Sequence, residues 1–164
     1  MKIALRPYEL SDIDDFMKWA CDDLVVQTSR LRHFSSKEDA LSYFKETILP
    51  HPWYRAICED GRPIGFICVM PGSKGERCKG MLSYALGSKY WNHGITTLAV
   101  KKVVSSVFHE FPEMKRVEAI VDVDNMASQR VLEKVGFLKE DGRNLVFLMP
   151  ISTLSFIQLY NDKD

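Results

Sequence analysis

The sequence has no surplus of either charge. In 164 residues, 22 Lys and Arg stand against 22 Asp and Glu. A dedicated nucleic-acid binder needs a basic surplus to displace counterions from phosphates, so no nucleic-acid partner is expected. There is no apolar run of the roughly 18 residues that a membrane span needs, and no membrane partner is expected either. The opening MKIALRPYEL lacks a signal-peptide core, and Glu9, Asp12, Asp14 and Asp15 speak against a transit peptide. Cysteine is scarce and unpatterned: Cys21, Cys58, Cys68 and Cys78 form no C-x-x-C pair, and no His lies at zinc-finger spacing from them. The expectation is a cytoplasmic chain with reduced thiols and no metal, Cys58 and Cys68 being buried in apolar runs. No G-x-G-x-x-G occurs, which removes a Rossmann site. GERCKGML carries Met81 and Leu82 where a phosphate-binding P-loop needs Lys and Ser or Thr. His109-Glu110 runs into Phe111-Pro112 with no second His at zinc-protease spacing. Repeats, low-complexity tracts and linkers are also missing, so residues 1–164 are expected to form one domain.

What is present is an ordinary globular composition, 46% hydrophobic and 27% charged, with clear periodicities. Ile3 to Leu5 is a short strand stopped by Arg6-Pro7. Ser11 opens a helix with Ile13, Phe16, Met17 and Ala20 on one face. Ser35 and Glu38 read as a capping box before a helix carrying Ala40, Leu41, Tyr43, Phe44 and Ile48, ended by Pro50. Trp53 to Cys58 and Ile64 to Met70 are β-rich and flank Asp60-Gly61, a hairpin signature, with Met81 to Leu86 as the next antiparallel neighbour. A long helix follows, with Val100, Val103, Val104, Val107, Phe108 and Phe111 at helical spacing, until Pro112 blocks it. Arg116 to Val123 alternates as a strand, Asn125 to Val135 reads as a helix closed by Gly136, and Leu145 to Met149 is a last strand. That order gives a mixed α/β layer fold with a long central sheet.

The segment YWNHGITTLAV carries chemistry. It runs from a strand through a short polar loop to Gly94 at the mouth of the long helix. The unpaired N–H groups of Gly94, Ile95, Thr96 and Thr97, backed by the helix dipole, suit a phosphate or pyrophosphate. The same residues also fit a plain strand-to-helix turn capped by Asn92 or Thr96. WNHGIT resembles the acyl-CoA pyrophosphate loop of the GNAT superfamily of N-acetyltransferases, and DNMASQRVLEKVGF resembles that superfamily's N-x-x-S motif in the branch of ribosomal-protein-alanine acetyltransferases. IALRPYELSDIDDFMKW and PIGFICV are similar to the same branch's first strand and helix and its hairpin, so the resemblance spans about Ile3 to Met149. Trp91 stands where many members have Gln or Arg, and Thr96 replaces a second Gly or Ala.

The resemblance implies a GNAT fold: a mostly antiparallel central sheet splayed between its fourth and fifth strands, with helices on both faces. It also implies acetyl-CoA as co-substrate and transfer of the acetyl group to a primary amine, either a small cationic amine or a protein N-terminal amine. The alternative is an inactive acyl-CoA-binding regulatory domain on the same fold. Trp91, Asn92, His93, Gly94, Ile95, Thr96 and Thr97 would hold the pyrophosphate, and the end of the fourth strand, Tyr84, Ala85 and Leu86, would hold the acetyl carbonyl. Asn125 would bond the pantetheine arm or a water. Ser128 would protonate the departing sulfur, since Leu132 occupies the place where many members have Tyr. Glu118 is the candidate base, an acid on a strand face opposite the apolar Val117, Ala119, Val121 and Val123; the other reading is an ion pair with Arg116. Asp122 is the weaker alternative base. Asn125 and Ser128 equally suit simple helix capping. Glu9, Asp12, Asp14, Asp15, Asp22 and Asp23 either form an acidic rim attracting an amine or a solvated helix face, and Trp53, Tyr54 and Tyr84 line an acceptor pocket or sit in the core. The tail STLSFIQLYNDKD must bury Leu154, Phe156, Ile157 and Leu159 on the domain or on a partner subunit, which leaves monomer and homodimer open.

Overall fold

The computed structural model describes residues 2–29, 31–140 and 145–153. The chain-end expectation for Leu154, Phe156, Ile157 and Leu159 lies outside them. Seven strands hydrogen-bond in the order β1-β2-β3-β4-β5-β7-β6. They are β1 (Ile3–Pro7), β2 (Tyr54–Glu59), β3 (Arg62–Pro71), β4 (Lys79–Leu86), β5 (Arg116–Val121), β6 (Leu138–Glu140) and β7 (Leu145–Pro150). The helices are α1 (Ile13–Ala20), α2 (Asp23–Thr28), α3 (Lys37–Tyr43), α4 (Ile95–Glu110) and α5 (Met126–Val135). The β1–β2, β2–β3, β5–β7 and β6–β7 pairs are antiparallel, whereas β4 and β5 run parallel and register at Lys79↔Arg116, Gly80↔Val117 and Met81↔Glu118. A parallel pair held over so short a stretch of an eight-residue strand is the splay that the resemblance implies. No described helix is long and apolar enough to cross a membrane.

Contacts divide the chain into two compact units. The first is drawn from residues up to Cys68 together with Tyr84–Ala99. Its hairpin turns at Asp60 and Gly61, both at positive φ, as Asp-Gly predicts. Tyr54 and Ala56 of β2 register with Cys68 and Phe66 of β3, and this face joins Phe16, Trp19, Ala40 and Phe44 in one buried cluster. The alternate positions Ile57 and Ile67 point to the other face and are also fully buried. Phe16 meets Trp19, Phe34 and Phe44 edge-on at centroid distances of 5.0, 5.4 and 4.9 Å. Tyr8 sends its hydroxyl proton to the Gly65 carbonyl at 2.7 Å. A Cβ on Gly65 would lie 2.3 Å from the Ala85 carbonyl oxygen, so β3 and β4 approach too closely there for any side chain.

The sequence reading of the entrance to α1 needs correction. The helical segment opens not at Ser11 but with a 3-10 turn at Leu10–Asp12, where the Asp12 carboxylate accepts from the Glu9 N–H at 2.9 Å. The α3 cap is likewise one residue later than Ser35. Ser36 accepts from Asp39 N–H at 3.1 Å, and the helix continues as a π-helical turn through Ile48. The pattern Ser-x-x-acid fits both registers, and the extended backbone of Ser36 decides between them.

The second unit is drawn from Val69–Ser83 and the described residues from Val100 onward. Its core takes Val103, Val104 and Val107 from α4, Val117, Ala119 and Val121 from β5, Leu132 and Val135 from α5, and Phe147 and Met149 from β7. Gly136 adopts φ 104° and ends α5, as expected. The short strand β6 was not legible: its three residues Leu138, Lys139 and Glu140 are all exposed and carry no alternation. β5 stops at Val121, two residues earlier than its apolar alternation suggests, and Val123 is 59% exposed rather than part of the buried face.

Candidate active site

The first unit holds the expected phosphate loop. β4 ends at Leu86, and Gly87, Ser88, Lys89 and Tyr90 turn the chain toward Trp91. Three hydrogen bonds shape that turn: Tyr90 N–H to the Gly87 carbonyl at 3.0 Å, Trp91 N–H to the Ser88 carbonyl at 3.1 Å, and Trp91 Nε1–H to the Leu86 carbonyl at 2.7 Å. The Trp91 indole thereby closes the loop onto the end of β4 and packs against the aromatic core. This gives the departure from Gln or Arg at position 91 a local task. Asn92 sits at φ 62° and Gly94 at φ 75°, both in the left-handed region. Asn tolerates that conformation because its short polar side chain bonds locally.

Gly94 is the N-terminal cap of α4. Its carbonyl accepts from Leu98 N–H at 3.0 Å, so the N–H groups of Gly94, Ile95, Thr96 and Thr97 are those the helix leaves without intrahelical partners. Neither Asn92 nor Thr96 is the cap, which corrects that alternative. Nothing lies within 4 Å of a Cβ built on Gly94, so the space on that side of the residue is open. Ile95 points into the core, while Thr96 and Thr97 are half-buried. The exposed His93 holds its Nδ1 3.2 Å from the Tyr90 carbonyl, a loop contact. Tyr84 is half-buried, and Ala85 and Leu86 are buried at the end of β4, so this unit brings Tyr84, Ala85, Leu86 and the 91–97 loop together. The residue types fit a pyrophosphate: four N–H groups at the start of a helix, two hydroxyls in its first turn, and open space beside Gly94.

The second unit holds Glu118, Asn125 and Ser128. Glu118 Oε1 lies 2.8 Å from Arg116 Nη2, and its side chain is 18% exposed. The neighbouring Ile120 on the Glu118 face is 42% exposed, so this face of β5 is partly open. Burial alone therefore does not single out this carboxylate, and the ion-pair reading has its partner. Asn125 caps α5: its Oδ1 accepts from Ser128 N–H at 3.1 Å, so the two motif residues are brought together as a capping pair. Gln129, buried beside them, donates from Nε2 to the carbonyls of Val123 at 2.9 Å and Asp122 at 3.3 Å. It fixes the turn from β5 into α5. The sequence reading missed it because a lone Gln on a polar helix face carries no signal.

Other expected features resolve as structure. Trp53 and Tyr54 are buried, with Tyr54 stacked on Phe66 at 5.0 Å and the Trp53 ring under the Arg55 guanidinium at 4.5 Å. The acids do not form an unpaired rim. Asp12 pairs with Arg6 at 2.7 Å, Asp15 with Lys18 at 2.9 Å, Asp14 with Lys37 at 2.9 Å, and Asp22 accepts from Ser88. Burial raises the Cys58 and Cys21 thiols above their ordinary range, consistent with unreactive thiols.

Comparison with known proteins accords with this geometry. Residues 2–138 match the Acetyltransferase (GNAT) domain family. The chain is 40% identical over 148 residues to Probable N-acetyltransferase YjcK of Bacillus subtilis, covering 84% of this chain and 81% of that one. It is 28% identical over 117 residues to Putative ribosomal N-acetyltransferase YdaF of the same organism, covering 65% and 62%. Among solved structures, aminoglycoside acetyltransferase AAC(6′)-Ib in complex with coenzyme A superposes with a TM-score of 0.80 at 16% identity, over 96% of this chain and 99% of that chain. The matched family, the 40% identical relative and the shared mixed-sheet fold place this chain in the GNAT acetyltransferase family.

Proposed function

We propose that the chain, acting as one catalytic domain, transfers the acetyl group of acetyl-CoA to a primary amine by direct attack within a ternary complex. The observation that carries this reading is the helix mouth at Gly94, where the α4 amides lack intrahelical partners, φ is 75° and the space at the Cβ position is open. The amides of Gly94 to Thr97 receive the pyrophosphate, with the Thr96 and Thr97 hydroxyls as further donors. Acetyl-CoA supplies an activated acyl carbon and a thiolate leaving group. A backbone N–H near Tyr84 to Leu86 stabilises the carbonyl oxygen as charge develops on it.

The amine must first lose its proton. An alkylamine near pKa 10 is neutral about once in 10³ at pH 7, a penalty of roughly 4 kcal/mol, against about 1 kcal/mol for an α-amine near pKa 8. Glu118 takes that proton, directly or through water; its Oε1 is held by Arg116, and Oε2 is the accepting oxygen. As the C–N bond forms the C–S bond breaks, and the proton the nitrogen sheds on becoming an amide passes through the Ser128 hydroxyl to the thiolate, which leaves Ser128 as it began. Asn125 orients the pantetheine arm with its amide N–H while its Oδ1 caps α5. The acceptor is a small cationic amine or a protein N-terminal amine. AAC(6′)-Ib is named an aminoglycoside acetyltransferase and YdaF a putative ribosomal one, so both acceptor classes occur among similar proteins.

A second reading, an acyl-CoA-binding regulatory domain without turnover, draws on one observation. Glu118 and Asn125 both have structural partners, Arg116 and the Ser128 amide. Ligand binding tests what the two readings share. Acetyl-CoA at about a hundred times its Kd should stabilise the fold by roughly 2.7 kcal/mol, raising Tm by about 5–10 °C. No shift with either acetyl-CoA or CoA at millimolar levels overturns both.

A further inference from the structure

Asp22 occupies a position that neither the acetyl transfer nor the core requires. It precedes α2, and its two carboxylate oxygens serve different segments. Oδ1 accepts from Leu24 N–H at 3.0 Å and caps α2. Oδ2 accepts from Ser88 N–H at 3.0 Å and from Ser88 Oγ–H at 2.5 Å, across 66 positions of sequence. Ser88 opens the 3-10 turn Ser88–Tyr90, so one carboxylate caps its own helix and, from outside, the turn that leads into the phosphate loop. The turn is held at its other points by backbone and indole bonds: Gly87 N–H to Ile64 carbonyl at 2.9 Å, and Trp91 Nε1–H to Leu86 carbonyl at 2.7 Å. The Asp22 contact is the charged one in this set. Burial alone would raise its carboxyl, but the hydrogen bonds from Ser88, Leu24 and Val25 outweigh it and hold the group below its ordinary 3.8. It is therefore an acceptor at neutral pH.

Accepting the acetyl-CoA reading above, we infer that Asp22 is a positioning residue: through Ser88 it fixes the loop from Ser88 to Gly94 so that the α4 amides are pre-organised for the pyrophosphate. The two oxygens allow this role to be separated from capping. Asp22→Asn keeps Oδ1 for Leu24, and Asn is as good a cap as Asp. Its NH₂ then faces the Ser88 N–H, where two donors oppose each other and the pin is lost. Ser88→Ala removes the hydroxyl and leaves the backbone bond.

The test measures CoA affinity by calorimetry, melting temperature, and amide exchange over Ser88 to Trp91 without ligand. Asp22→Asn should weaken CoA binding about ten-fold and Ser88→Ala about three-fold, with the double variant no weaker than Asp22→Asn alone. Melting should fall by only a few degrees, exchange of the loop amides should quicken, and KM for acetyl-CoA should rise with kcat retained. If wild-type protein binds CoA and Asp22→Asn binds it equally well, the inference is overturned, whether or not melting falls. Should Asp22→Asn fail to fold, Ser88→Ala with unaltered affinity and unaltered exchange overturns it alone. A wild-type chain that binds no CoA sinks the acetyl-CoA reading instead; unaltered loop exchange in Asp22→Asn would then overturn the pin independently.

Discussion

Two carboxylates, Asp12 and Glu118, take different roles through their neighbours. Asp12, 8% exposed, receives both Arg6 Nη atoms at 2.7 and 2.8 Å and the Glu9 N–H. Burial by itself would raise its carboxyl, but the Arg6 and Glu9 hydrogen bonds prevail and hold it below its ordinary 3.8. The stabilisation is therefore complete above about pH 4 and is lost as pH falls through the lower folded value. Asp12→Ala should lower stability by about 2–4 kcal/mol at neutral pH, since it strands a charge. Asp12→Asn should flatten the fall of Tm below about pH 4. An acid limb as steep as that of the wild type would show that other carboxylates set it. Glu118, by contrast, has a single cation at 2.8 Å and a half-open face. Glu118→Gln keeps the shape but cannot accept a proton. It should lower kcat by about 10² with acetyl-CoA affinity retained, the loss shrinking at high pH as the amine deprotonates unaided. Full activity at pH 7 with a much lower Tm would leave Glu118 as an ion-pair member only.

At the scale of elements, turns and caps decide where functional atoms lie. Gly65 lets β3 approach β4 within a distance no Cβ survives, and its carbonyl also receives the Tyr8 hydroxyl. Gly65→Ala should destabilise by about 2 kcal/mol or more through strand displacement at Ala85, read as a lower urea midpoint. The start of α5 depends on Asn125, so Asn125→Ala should cost about 1 kcal/mol of stability, whereas Asn125→Asp should keep the cap. If Asn125→Asp folds as the wild type but loses turnover, the amide N–H acts on pantetheine beyond its capping role. These elements also show what could be read in advance. Periodicity reported α4, β5 and α5 because their buried stripes are continuous. It could not report β6, which is exposed throughout, or choose between Ser35 and Ser36, since backbone angles make that choice. Gly94 was legible because only a few residue types suit a left-handed residue at a helix mouth. The Asp22–Ser88 contact was not, because local pattern carries no signal across 66 positions.

For the whole molecule, a balanced charge and an ordinary composition name no partner. In the acidic stretch that suggested an amine-attracting rim, Asp12, Asp14 and Asp15 pair with Arg6, Lys37 and Lys18 and Asp22 accepts from Ser88, so the acceptor is not legible from the count of acids. The helix mouth at Gly94 was legible from a short motif because a helix N-terminus needs only backbone amides and a glycine. Acid–base roles were less so, because each candidate also fits a structural partner. Replacing Gly94 with Asp sets a carboxylate against the incoming pyrophosphate and should abolish CoA binding, seen as loss of the thermal shift. The most direct test of the central claim is acetyl-CoA-dependent release of free thiol against a panel of N-terminal peptides, polyamines and arylalkylamines. The account predicts acceptor-dependent release that Gly94→Asp eliminates and Glu118→Gln reduces about 10²-fold at pH 7. Tight CoA binding with no acceptor-dependent release anywhere in that panel would contradict it and leave the regulatory reading.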